Sequence, residues 1–335
     1  MLNSREKNIL LSTVIDYIHS GNPVSSSRLN RNYNVNVSSA TIRNVMSRLE
    51  ELGYLKQPHV SAGRIPTDKG YRYYVDNSIF LHSLTEDEKS RIKSQLEKKI
   101  MKLDNLLQAT SSMLSEVSKK IGVTVLPEVE NDRLRCLKII PISDKKVCAL
   151  IITKSGIIRE ELFEFNEQKF TDRLFLKKVN NYLEKLLQNK KLSRINEILE
   201  NNSFENIDYN FLLKHLLGKL INIKNENKKV YIKGLINYLK TNNSKDLIYL
   251  FENGTINSIM DNIALGRKKI MIKIGNENNN EILNNYSIIS KLVDIDDNLS
   301  IKIGILGEKR FNYGKIISLL EYTGILLEEK FKKEG

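Results

Sequence analysis

The run Ser38-Ser39-Ala40-Thr41-Ile42-Arg43-Asn44-Val45-Met46-Ser47-Arg48-Leu49-Glu50-Glu51-Leu52-Gly53, continued by Tyr54-Leu55-Lys56-Gln57-Pro58-His59-Val60-Ser61-Ala62-Gly63-Arg64-Ile65-Pro66-Thr67-Asp68-Lys69-Gly70, decides how the chain is read. Ser38 is a hydroxyl helix cap, and Ile42, Val45, Met46, Leu49 and Leu52 recur at helical spacing. Gly53 stands where a left-handed residue ends a helix. The opposite face carries Thr41, Arg43, Asn44, Ser47 and Arg48, with Ser39 near the N-terminus and Glu50 and Glu51 confined to the last turn. Amides, hydroxyls and guanidinium groups on the first half of a helix suit base edges and phosphates in a major groove. A short strand, a small-residue loop and a second strand follow. Ala62 and Gly63 allow close backbone approach, and His59, Ser61 and Arg64 are placed to touch phosphate or a minor groove.

Upstream, a cap at Asn3 or Ser4 starts a helix with Ile9, Leu10, Leu11, Val14, Ile15 and Ile18 on one side, which stops at Gly21 before Pro23. Ser25 to Ser27 open a second short helix with Leu29 and Tyr33 inward. Three short helices and a two-stranded wing make a winged helix-turn-helix. Residues 1–75 hold ten lysines and arginines against five acids. Thr67 then caps a helix through Tyr71, Tyr74, Val75, Ile79 and Phe80, whose aromatics are read as core.

The stretch from Ala40 to Asn44 and the loop from Pro58 to Thr67, with Gly70-Tyr71-Arg72-Tyr73-Tyr74-Val75-Asp76, resemble the signature of the HrcA-type heat-inducible transcription repressors of bacteria. Two residues depart from the family pattern: Ser25 replaces a usual glycine, and Val45 an acidic residue. Thinner similarity continues at Gly234 to Leu239, Ile274 to Asn278, Gly304 to Gly307 and Arg310 to Tyr313. Glu308-Lys309 replaces the usual Pro-Thr, and Phe311 a common methionine. The resemblance implies a GAF-like α+β domain interrupted by a dimerising insert. It implies a homodimer on an inverted-repeat operator in double-stranded DNA ahead of chaperone genes, and a GroE-type chaperonin that keeps the repressor active.

The whole chain fits that expectation. It has 335 residues, enough for two or three domains, and a net charge of +13 that favours a polyanionic partner. No apolar run reaches membrane-span length and no signal-peptide core follows Met1 to Lys7, so a cytoplasmic protein without a membrane partner is expected. The two cysteines, Cys136 and Cys148, build neither a disulfide scaffold nor a thiolate zinc site. His19, His59, His82 and His215 are scattered, and no phosphate loop or dinucleotide fingerprint occurs. An enzyme is not expected, nor any cofactor or metal.

Beyond the helix-and-wing module, Thr85 and Glu88 form a capping box. Leu96, Ile100, Leu103, Leu107, Leu114, Val117 and Ile121 then predict one long helix ended by Gly122. Its narrow apolar stripe needs either a second subunit or the next domain as partner. Strands are predicted at Leu134 to Ile140, Val147 to Thr153 and Ile157 to Phe165. Helices follow over Phe170 to Leu199 and Phe211 to Ile223. Further strands run at Lys269 to Gly275, Tyr286 to Val293 and Ser300 to Gly307, before a helix from Tyr313 to Phe331. The expected fold class is α+β, with a winged helix-turn-helix over 1–82 and a linking helix over 83–122. A GAF-like domain over 123–335 is interrupted at about 168–255 by the insert. The loop Gly275-Asn276-Glu277-Asn278 is either a ligand site or a loop that satisfies its own backbone. A small-molecule or metal effector bound in the C-terminal domain is thus the alternative mode of control.

Overall fold

A computed structural model describes residues 2–33, 37–60, 62–78, 84–96, 103–126, 133–154, 158–201, 212, 229–236, 238, 270–295 and 300–334. The order begins α1 (Ser4–Ser20), α2 (Ser26–Asn32), α3 (Ser39–Glu51), β1 (Leu55–Lys56), β2 (Ile65–Pro66) and α4 (Asp68–Ser78). Next come α5 (Glu86–Leu96), α6 (Leu103–Ser118), β3 (Ile121–Leu126), β4 (Leu134–Ser143), β5 (Lys146–Thr153) and β6 (Ile158–Glu164). The chain continues through α7 (Arg173–Leu187), α8 (Ile195–Asn201), β7 (Lys229–Lys233), β8 (Ile270–Ile274), β9 (Tyr286–Asp294), β10 (Ser300–Glu308) and α9 (Tyr313–Glu334). Helices and antiparallel sheets alternate in blocks, which makes the fold α+β. Among the described residues no helix is long and apolar enough to cross a membrane.

The helix ends follow local chemistry. Asn3 and Glu6 exchange side-chain and backbone hydrogen bonds in a capping box at α1. Thr85 and Glu88 do the same at α5, where Lys315 also reaches Glu88 and holds its carboxyl below the usual range. The strands from 134 to 164, from 270 to 308 and the final helix lie where the apolar alternation puts them.

The single long helix expected to end at Gly122 is instead two helices and a strand. Gln95 of α5 donates a hydrogen bond to Glu116 of α6 at 3.0 Å. In one continuous helix these residues, 21 positions apart, would sit about 31 Å apart, so the chain reverses between α5 and α6. An apolar stripe at steps of three and four reads alike in one helix or in two that pack together. Its partner lies in the same chain: Ile92, Leu96, Leu103, Leu106, Leu107 and Leu114 share one core with Ile289, Ile303, Ile305 and Leu320. Ile100 lies outside the described residues. Gly122 belongs to β3, and its missing side chain lets α6 lie on the strand. A Cβ there would meet the Ser111 carbonyl oxygen at 2.1 Å.

The central sheet is antiparallel, with strand order β7-β3-β10-β9-β8. Its α5, α6 and α9 side contributes to the core that also holds Ile9, Leu10, Ile42, Leu49 and Tyr71 of the N-terminal helices. Its other side packs Val123, Val125, Ile288 and Leu306 with Tyr238 and Leu283. The meander β4-β5-β6 is a separate three-stranded sheet with its own core. Leu137, Ile139, Ala149, Ile151 and Phe163 face Leu176, Val179, Leu183 and Leu187 of α7, spaced three and four apart. The change of sheet therefore falls between Leu126 and Leu134, ahead of the meander rather than after it. Alternation predicts a strand but not the sheet that the strand joins. The helix predicted over Phe211 to Ile223 lies outside the described residues except Leu212, which is buried.

Gly122→Ala should cost about 1–3 kcal/mol, because the added methyl meets backbone rather than a movable side chain. Chemical denaturation at constant m-value checks it; an unchanged midpoint would contradict this packing.

Candidate nucleic-acid interface

Helix α3 is held at both ends. The Ser38 hydroxyl accepts from the Thr41 amide at 3.1 Å and lies 2.9 Å from the Thr41 hydroxyl. Such a cap is worth about 1 kcal/mol. At the other end the Gly53 amide donates to the Glu50 carbonyl and the Tyr54 amide to the Leu49 carbonyl, a Schellman pair made possible by Gly53 at φ +76°. Lys69 donates to the Leu52 carbonyl at 2.8 Å and stands over the Tyr54 ring at 4.3 Å, so a cation faces the negative end of the helix. Ile42, Met46 and Leu49 are buried, which turns Arg43, Asn44 and Arg48 outward.

The two-stranded β1–β2 loop is locked to the helices by backbone and by Glu50. Val24, between α1 and α2, exchanges two backbone hydrogen bonds with Arg64, at 2.9 and 2.8 Å. A Cβ on Gly63 would meet the Val24 carbonyl oxygen at 2.4 Å, so only glycine lets the strand lie there. The Glu50 carboxylate reaches both strands of the loop. One oxygen accepts from the Gln57 amide at 3.0 Å and the other lies 2.8 Å from Arg64 Nε. The Gln57 side chain then donates to the carbonyls of Val60 and Ala62, closing the tip. Val60 at that tip is 98% exposed, and His59 beside it is also exposed.

The eight residues singled out in the sequence thus divide. Arg43 and Asn44 are exposed side by side on α3. Thr41 is half-buried beside its cap, and the Ser39 hydroxyl accepts from Asn30 of α2 at 3.3 Å. Arg48 pairs with Glu6 of α1 at 3.0 Å yet keeps 63% of its side chain exposed. Arg64, by contrast, is turned inward to Glu50 with only 17% of its side chain exposed. His59 lies at the tip; Ser61 is outside the described residues. Glu50 and Gln57 were not among the eight. Their only sequence signal is an acid in the last turn of a helix, followed by an amide beside Pro58.

Helix α4 joins this module to the central sheet. Thr67 donates to the carbonyls of Gly53 and Tyr54 and accepts from the Gly70 amide, tying the start of α4 to the foot of α3. Asp68 takes Lys309 Nζ at 2.5 Å and the Asn276 amide at 3.0 Å. One turn on, Arg72 grips both carboxylate oxygens of Glu277 and donates to the Ile272 carbonyl at 2.7 Å. The loop Gly275 to Asn278 is therefore occupied by protein. Glu277 also accepts from the Ile274 amide, and buried Asn278 donates to the carbonyls of Gly275 and Tyr286. Tyr71 and Tyr74 both pack on Tyr313, whose hydroxyl donates to the Lys309 carbonyl. Burial pushes the phenols of Tyr71 and Tyr313 far above their ordinary range, so both stay neutral. Of the α4 residues read as core, Tyr71 is buried and Tyr74 and Val75 are half-buried against the same cluster, while Ile79 and Phe80 lie outside the described residues.

A family model described as the HrcA protein C-terminal domain matches residues 104–317. The heat-inducible transcription repressor HrcA of Syntrophobacter fumaroxidans is 32% identical over the whole of this chain and 99% of its own length. Its counterpart from Acetivibrio thermocellus is 33% identical, covering 99% of this chain and 97% of the relative. That of Bacillus pumilus is 32% identical over 96% of each. A crystal structure described only as a hypothetical protein covers 100% of both chains at 25% identity, with a TM-score of 0.65.

Glu50→Ala should free the loop while leaving the helices folded. Amide exchange at Gln57 and Ala62 should rise at least tenfold, with global stability lowered by about 1 kcal/mol. Unchanged exchange there would show that Glu50 does not hold the loop.

Proposed function

Since the chain belongs to the HrcA family of heat-inducible transcription repressors, we propose that it represses by binding an inverted-repeat operator in double-stranded DNA as a homodimer through a winged helix-turn-helix. The observation that carries this reading is the exposed pair Arg43–Asn44 on a doubly capped α3, beside a loop braced to the same helix. A guanidinium and an amide on adjacent positions match guanine and adenine edges in a major groove. Ser39, Thr41 and Arg48 flank them for phosphate contact, and His59 and Ser61 serve at the wing. Arg64 belongs to the interface through Glu50, as the residue that positions the wing.

The dimer is assigned to the module between β3 and β7, with the five-stranded sheet as the GAF-like part. On the β4–β6 sheet the face away from α7 aligns Ile140 with Cys148 and Leu162, and Cys136 with Ile152 and Ile158. Ile140, Ile142, Ile158 and Leu162 are exposed, with Leu162 at 62%. These apolar rows, with exposed Lys138 and Glu160 flanking Leu150 between them, fit a second copy. The chaperonin enters through the family resemblance alone. Its role is to raise the fraction of repressor able to bind operator, and addition of purified GroE-type chaperonin should increase that fraction without altering operator sequence.

Three outcomes test the reading. Selection from a pool of random duplexes should recover two inverted half-sites whose centres lie one or two helical turns apart. Arg43→Ala should lose about 1–3 kcal/mol of discrimination between selected and random DNA, measured by anisotropy titration. Equal weakening on both would make it a phosphate contact. Leu162→Asp should convert dimer to monomer in sedimentation, weakening binding to the full repeat but not to one half-site; a dimer that persists would move the interface elsewhere.

A further inference from the structure

Helix α4 is gripped at two points on one face, and the grip ties the DNA-reading module to the five-stranded sheet, from which the module assigned to the dimer branches between β3 and β7. Asp68 and Arg72 are one helical turn apart, about 6 Å along the axis. Their receptors come from β8 (Ile272), the loop after it (Asn276 and Glu277) and the residue after β10 (Lys309). Every contact is directional. The Asp68 carboxylate is shared between an ammonium group and a backbone amide, and Arg72 meets Glu277 with two nitrogens while one of them also donates to a carbonyl. The side chains of Asp68, Arg72, Lys309 and Glu277 are 22–36% exposed, so the pairs are partly withdrawn from solvent. Two directional contacts on one helix fix its tilt and its rotation. Because Thr67 couples α4 to α3 and to the turn before β1, they fix the recognition helix as well.

We infer that Arg72 and Asp68, with Glu277 and Lys309, are positioning residues that set the half-site spacing the dimer accepts. The inference rests on the DNA-reading function proposed above. One added base pair moves a half-site by about 3.4 Å and turns it by about 34° around the duplex. A docked module cannot follow that displacement, so the DNA must be twisted or bent instead. A module released from α4's receptors follows it and becomes tolerant of spacing while reading the same bases.

The test uses full-length protein and duplexes built from the selected half-site, as one copy, as the selected inverted pair, and as pairs with one to three base pairs added or removed. Wild type should lose about tenfold or more in affinity for a single-base-pair change, the scale of a modest DNA deformation. Arg72→Gln and Glu277→Gln should flatten that dependence to within about threefold and keep single half-site affinity within about twofold of wild type. Arg72→Lys, which keeps the charge but loses the two-pronged grip, should fall between. Circular dichroism confirms that each variant is folded. The inference is overturned if folded Arg72→Gln and Glu277→Gln keep the wild-type spacing profile, or if wild type is itself indifferent to spacing. Wild type without preference for any selected sequence would overturn the DNA-reading function instead.

Discussion

The contact on which the architecture turns is the seating of α4 against the edge of the five-stranded sheet. Through Tyr71 and Tyr74 on Tyr313 it joins the core of the N-terminal helices to that of the central sheet. Through Asp68 and Arg72 it adds direction to an attachment that apolar burial alone would leave free to slide. Packing supplies most of the attraction, since partly exposed ion pairs contribute little net free energy. The charged pairs give orientation, which the proposed placing of two copies of one helix on a duplex needs as much as affinity.

A second constraint acts within the N-terminal helix-and-loop module. Glu50, in the last turn of α3, holds both arms of the loop between β1 and β2, while Gly63 lets the loop's backbone pair with Val24. Helix α3, the β1–β2 loop and the turn between α1 and α2 are thus tied to one another. The cation of Arg64 is spent on that brace, which leaves Arg43, Arg48 and Lys56 as exposed cations from α3 to β1. Preorganisation of this kind lowers the ordering cost of binding.

What sequence reasoning reaches depends on the range of the interaction. Caps at Asn3, Ser38 and Thr85, and the end of α3 at Gly53, depend on neighbours within four residues and are legible. So is the alternation of β4 to β6. The reversal between α5 and α6 is not, because one stripe serves a single helix or a packed pair equally well. Gly122 has the sequence character of a helix stop and works instead as space for α6 against β3; glycine marks both alike. Glu277 is paired with a residue 205 positions away, and nothing local separates that role from a ligand-binding loop. On α3, Arg43 and Arg48 have the same chemistry in sequence, and only the position of Glu6 singles out Arg48 as tethered.

The most direct measurement is the salt dependence of binding to a selected inverted repeat and to a scrambled duplex of equal length and composition. The account predicts a preference of about a thousandfold or more for the repeat, with the preference persisting as rising salt weakens both complexes. Equal affinity for the two duplexes, falling together as salt rises, would contradict it and reduce the interaction to the attraction of a basic protein for a polyanion.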